Sequence, residues 1–228
     1  MAHTATAPSP TAQPGWDTTT ETSYPTEDSR RQPEPGALPD AVRLLLAGVG
    51  VLPVSLIALS MFGIGLRGLA THVGVPALVV LAVVALTHRP AAGLVGAALA
   101  IGMTATGLYD LSRFGFLWAG VVHHDPIPHI GTALGLHPAV VFGYLWRYLG
   151  NGTGLCLAFL ASGRRGARDG VVFGLAVCAG LVVTLAISPH GQEVLFPLGV
   201  GTLVMAITGH AIFGAVLGSL TERHARVL

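Results

Sequence analysis

Residues 44–87 read LLLAGVGVLPVSLIALSMFGIGLRGLATHVGVPALVVLAVVALT, and Arg67 is the one formally charged residue among them. A spanning helix needs about 20 apolar residues to cross a hydrocarbon core roughly 30 Å thick. The stretch is long enough for two crossings, and Arg67 with the glycines around it marks the turn between them. A water-soluble chain has no use for so long an apolar run, so this stretch sets the fold class.

Working outward, the same pattern repeats. Apolar blocks at 44–66, 68–87, 91–109, 138–162, 171–188 and 195–220 are separated by short polar connectors. They predict an all-α polytopic membrane bundle of about six transmembrane helices. Composition agrees, with 52% hydrophobic and 10% charged residues: that is too apolar for a surface facing water. The bilayer is therefore the first partner. A membrane-protein partner or a homo-oligomer is a further expectation, and nothing in the charge pattern calls for nucleic acid.

Residues 1–40 differ sharply. They hold seven prolines, eight threonines and six of the eleven acids, and so little apolar surface that burial does not offset the entropy of ordering. The sequence predicts a disordered cytoplasmic tail ahead of a membrane domain over 41–228. With no basic segment leading into an apolar core, it also predicts an uncleaved first span.

All twelve basic residues are arginine, and arginine in short loops stays on the cytoplasmic side. With the N-terminus inside, Arg30, Arg31, Arg43, Arg89, Arg164, Arg165, Arg168, Arg223 and Arg226 collect there. Arg67, Arg113 and Arg147 do not. Six spans with both termini in the cytoplasm of a cell-membrane protein satisfy this distribution. Between the third and fourth spans, 110–137 is the longest outer stretch. Its apolar run 114–122 is too short to cross; it can extend the third helix, lie in the interface or dip in and return, and Phe114, Phe116 and Trp118 suit an aromatic belt at the headgroups, the reading favoured here.

Candidate functional residues fall into two sets. In the fourth block Tyr144, Arg147, Tyr148 and Asn151 recur at helical spacing and predict one polar face. A charge in hydrocarbon costs about 2.5–3.5 kcal/mol on insertion scales, so Arg147 should be paired inside the bundle. Asp110, at the outer end of the preceding span, is the nearest partner by topology, with Asp125 and Glu193 as alternatives. His210, near the middle of the last span, shares a face with Thr202, Ala206, Gly214 and Gly218. Interhelical hydrogen bonding is its simplest role, and Gly214-x-x-x-Gly218 reads as a packing device.

The second set is His72, His123, His124, Asp125, His129, His137 and His190, all on the predicted outer side. Imidazoles with a carboxylate are ligands for zinc or copper, and His72, His137 and His190 end three spans at similar depth, as paired haem ligation needs. Their spacing matches no standard site, so no cofactor is assigned from it. Cys156 and Cys178 lie within apolar blocks and read as packing. No phosphate-binding loop, nucleophile elbow or zinc-protease signature occurs, and the sequence leans away from an enzyme. Its leading reading is an accessory protein or a small-solute or ion permease, and the rival is a metal- or haem-binding redox protein.

Three segments carry a resemblance: 168–175 (RDGVVFGL), 209–218 (GHAIFGAVLG) and 144–159 around Asn151-Gly-Thr-Gly. Over about the last 80 residues the chain resembles a group of small uncharacterised multi-pass membrane proteins of actinobacteria and haloarchaea. The resemblance implies a helical membrane fold in which His210 and its glycines recur, and no activity.

Overall fold

A computed structural model describes residues 38–123 and 125–227. The tail expected over 1–40 lies outside the described residues up to position 37. From Leu38 onward the chain is packed: Leu38 and Val42 rest on the core.

The first helix, α1, is Asp40–Ser60, with Asp40 in the first turn, where a carboxylate suits the positive end of the helix dipole. It ends six residues before the expected limit because the chain turns at Gly63, whose φ of 89° is left-handed. Helix α2 runs Leu66–Thr87, with one wide π-helical turn at Ala70–Gly74. Helix α3 is Arg89–Trp118, and the short α4 is Ile127–Ala133. Helix α5, residues 139–161, joins Ala139–Leu145, a π-helical Trp146–Gly152 and Thr153–Ala161. Then come α6 at Ala167–Ile187, the single turn α7 at Gly191–Val194, and α8 at Val200–Val227.

Five of these, α1, α2, α3, α6 and α8, are long and apolar enough to cross a membrane. The chain is a helical multi-pass membrane protein. Helix α5 is of comparable length, about 34 Å at 1.5 Å per residue, but Arg147 and Asn151 lower its hydropathy. It lies between α1 and α3, against both of which it packs.

The third span runs longer than 91–109, in line with the alternative that the apolar run extends it. It continues past Tyr109 to Trp118, so most of the apolar run 114–122 belongs to the helix. Asp110 and Arg113 look like residues leaving the bilayer. They are three apart on one helix face and bonded to each other, and a neutralised pair lets a helix run on. Trp118 ends it, 92% exposed, as an interfacial aromatic would be.

Neighbouring helices alternate in direction. The Gly166 amide donates to the Gly218 carbonyl, and the Arg43 side chain donates to the Ala161 carbonyl. At the other end the His190 amide donates to the Met61 carbonyl. Arg43, Arg89, Arg164, Arg165, Arg168 and Arg223 thus fall at one end of the bundle. The opposite end is capped by α4 and α7.

Glycine sets how closely the helices meet. Along the α6/α8 seam a Cβ on Gly170 or Gly174 would meet the Gly214 or His210 carbonyl, and one on Gly218 would meet that of Gly166. The pair Gly214 and Gly218 is therefore a packing surface, and its partners are Gly166, Gly170 and Gly174. Gly93 and Gly96 have nothing within 4 Å and hold no helix in place.

Candidate functional site: a buried charge network above a central cavity

Asp110 is the hub of the polar structure. It is 1% exposed, in α3, and its Oδ1 accepts from Arg113 Nε at 3.1 Å and from Arg147 Nε at 2.7 Å, with Arg147 Nη2 at 2.6 Å. The topological argument for pairing Arg147 with Asp110 thus has its geometric counterpart. Arg147 also lies over the Tyr109 ring, 4.5 Å from its centroid, where a cation meets the negative face of the π-system.

Arg113 extends the network to the capped end. It is 2% exposed, and its two terminal nitrogens donate to Asp125 Oδ1 and, at 2.8 Å, to the Tyr144 hydroxyl. Tyr144 in turn donates to Asp125 Oδ2 at 2.6 Å, and the Ile127 amide donates to Asp125 Oδ1 at 2.9 Å. Asp125 therefore fixes α4 over the end of the bundle. Burial works to raise the Asp125 carboxyl's pKa, but the hydrogen bonds from Tyr144, Ile127 and Arg113 outweigh it and hold the group below the ordinary carboxylate range. Two arginines and two aspartates leave the network formally neutral. Sequence reasoning missed Arg113 as a site residue; the i, i+3 spacing from Asp110 was the signal for it.

Beneath the network lies a cavity of about 370 Å³, lined by residues from α1, α3, α4, α5, α6 and α8, within the usual size of small-molecule sites. Most of its wall is apolar, including Val54, Phe173, Leu181, Met205 and Phe213. The polar lining residues are Arg113 and Arg147 at the network end, Tyr109, Thr106, Asn151 and His210, with Ser55 and Thr184 on α1 and α6. Thr106 donates to its own helix at Gly102. Asn151 makes no hydrogen bond among the described residues, and its Oδ1 is fully buried. The wide turn Trp146–Gly152 carries it there; such single-turn π segments concentrate at functional sites.

His210 sits edge-on to Tyr109, ring centroids 5.1 Å apart at 85°. Its Nδ1 lies 2.8 Å from the Ala206 carbonyl. A carbonyl only accepts, so Nδ1 carries the proton, and in the neutral ring Nε2 is a lone pair. Gly209 makes room for this arrangement, because a Cβ there would meet the Tyr109 ring at 2.7 Å.

The outer histidines are placed differently. His190 faces Glu193 at 3.6 Å, Asp125 is engaged by Arg113 and Tyr144, and His124 lies outside the described residues. Among the described residues no three His, Cys, Asp or Glu side chains are grouped as a metal ion requires. The candidate intramembrane residues Asp110, Tyr144, Arg147, Asn151 and His210 are brought together around one network and one cavity. No family model, curated protein or solved structure matches this chain.

Proposed function

We propose that this chain is a non-catalytic membrane-embedded binding protein for a small, uncharged, largely apolar solute with a hydroxyl group. The observation that carries the reading is the unpartnered Asn151 amide in the cavity wall. A buried amide without a partner costs about 1–3 kcal/mol, a cost that a bound polar group recovers. A hydroxyl suits the site because the atom left without a partner, Asn151 Oδ1, is an acceptor, and a hydroxyl brings the proton it lacks. Arg113 and Arg147 are already committed to carboxylates, which favours a neutral ligand over an ion. The arginine-bearing end is the cytoplasmic one in this reading, with both termini on that side.

The test uses the full chain in lipid nanodiscs with Phe173→Trp as a reporter in the cavity wall. The probes are a brominated ten-carbon alcohol and the brominated alkane of the same length. Saturable quenching by the alcohol, about tenfold tighter than by the alkane, is the expected result, since a hydrogen bond contributes about 0.5–1.5 kcal/mol. Asn151→Leu should abolish the difference. Equal, non-saturating quenching by both probes refutes the reading.

A further inference from the structure

The cavity has a mouth, and its position says where the ligand comes from. Val51 and Ser55 of α1 and Gly180 and Thr184 of α6 line the cavity; Val51 and Gly180 are at the same time exposed, and Ser55 and Thr184 beside them are half-buried. A residue that faces both ways marks an opening. Helices α1 and α6 flank this gap without packing against each other, whereas α6 packs on α8 and α1 on α5.

The chemistry of the rim fits hydrocarbon. The Ser55 hydroxyl donates to Val51 O at 3.0 Å and the Thr184 hydroxyl to Gly180 O at 2.8 Å. Both donors are satisfied on their own helices, so neither requires water. At Gly180 nothing lies within 4 Å of a Cβ position, which leaves the gap clear. Counting 1.5 Å per residue from Ser60 and Ile187, the four residues lie about 5–14 Å below the capped helix ends. That depth falls within one leaflet of a hydrocarbon core roughly 30 Å thick.

The route to water at the capped end is shut. Ile127, Ile130, Leu195 and Phe196 are buried where they cover the cavity, and the His190–Met61 backbone bond ties the ends of α1 and α6 together above the mouth. Asp125 fastens α4 in place through Arg113 and Tyr144.

We infer that the ligand reaches the cavity sideways from the bilayer, through the gap between α1 and α6, and is therefore a lipid-dissolved amphiphile with an uncharged hydroxyl-bearing end. The inference rests on the binding reading above and adds the route and the phase from which the ligand is drawn. The mouth admits the molecule, the apolar wall takes its chain, and Asn151 with His210 takes its polar end.

The rate of binding, separated from its extent, tests the route. The Phe173→Trp protein in nanodiscs is mixed with the brominated ten-carbon alcohol in a stopped-flow instrument, alone and with the mouth narrowed by Gly180→Leu or, independently, Ser55→Leu. Gly180 is exposed with nothing within 4 Å of a Cβ and Ser55 is half-buried, so the protein should still fold, as a monodisperse elution profile will show. Narrowing is expected to slow the quenching at least tenfold while leaving its final amplitude. A second arm replaces the alcohol with phosphatidylcholine brominated on its acyl chains, which should quench the reporter in the parent and less in the narrowed variants. If the alcohol binds but neither variant slows it, lateral passage is overturned and the binding site stands. If the alcohol never binds saturably while the brominated lipid still distinguishes the variants, the binding reading falls and the mouth remains. Should neither probe distinguish them, both are refuted.

Discussion

The α6/α8 seam and the α3/α5 junction solve one problem in two ways. Both bring backbones close through glycine, Gly170 against Gly214 in the first and Gly102 against Gly152 in the second. The seam is made of small residues and apolar side chains. The junction carries Asp110, Arg113 and Arg147, with Asp125 and Tyr144 at its outer edge. Lipid supplies no hydrophobic force between helices, so the seam is stabilised by the closeness of its packing. The junction adds charges whose desolvation is offset only while every partner is present. The seam is thus built for adhesion, and the junction holds a defined geometry beside a cavity.

The largest effect should come from unbalancing the junction. Asp110→Asn leaves two guanidinium groups facing one remaining carboxylate, and removing one member of a buried ion pair costs about 3–5 kcal/mol. Denaturation in mixed micelles with increasing SDS should report a loss of that order. Adding Arg147→Met, which restores charge balance, should recover more than half of it. No recovery in the double variant would mean that Asp110 acts through packing and that the junction differs little from the seam.

Next in size is a change at the seam. Gly170→Leu places a side chain on the Gly214 carbonyl and the Gly218 backbone, and overpacking of this kind costs about 1–3 kcal/mol. Gly93→Leu, where nothing lies within 4 Å, should leave the SDS midpoint unchanged. Equal losses in the two variants would show that close approach does not set Gly170 apart, since helix propensity favours Leu over Gly at both sites.

How much of this contrast is legible in the sequence depends on scale. The spans follow from apolar length, and one half of the seam from Gly214-x-x-x-Gly218. The partner glycines on α6 are ordinary in sequence, because spacing on one helix does not say which neighbour it faces. Arg147 and Asp110 could be matched from the expense of an unpaired charge in lipid. Arg113 escapes a reading that ends the third span at Tyr109, because that puts it in a loop where its i, i+3 spacing from Asp110 carries no meaning. Asn151 was placed on one stripe with Tyr144 and Arg147 by 3.6-residue spacing. The wide turn at Trp146–Gly152 departs from that period: Tyr144 reaches Asp125, Arg147 reaches Asp110, and Asn151 lines the cavity. Close spacing of histidines in the outer segment says little about closeness in space, and Asp125 serves Arg113 and Tyr144.

Asn151 sharpens the comparison with a change of opposite sign. In the junction, removing a charge strips its partner of an ion pair and destabilises the protein. Asn151 is unsatisfied, so Asn151→Leu, similar in shape and free of the buried amide, should stabilise the ligand-free protein by about 1 kcal/mol. The same variant should lose the preference for the alcohol probe over the alkane. A loss of stability instead would mean that the amide has a partner in the resting protein.

The smallest effect is that of pH, and it should appear only at the outer edge of the junction. Asp125 has a folded-state pKa below its unfolded value, so its stabilising contribution is fully present above the ordinary carboxylate pKa of about 3.9. It fades as pH falls through the lower, folded value. Asp125 is partly exposed, with 25% of its side chain accessible, and solvent screening keeps the contribution modest. The SDS midpoint should therefore stay level from pH 7 to about 5 and decline below pH 4, with a shallower decline in Asp125→Asn. Gly170→Leu removes no titrating side chain, so it should lower the whole curve and leave the acid limb parallel to the parent's. An acid limb that keeps its slope in Asp125→Asn would assign the acid sensitivity to a group other than the one that fastens α4.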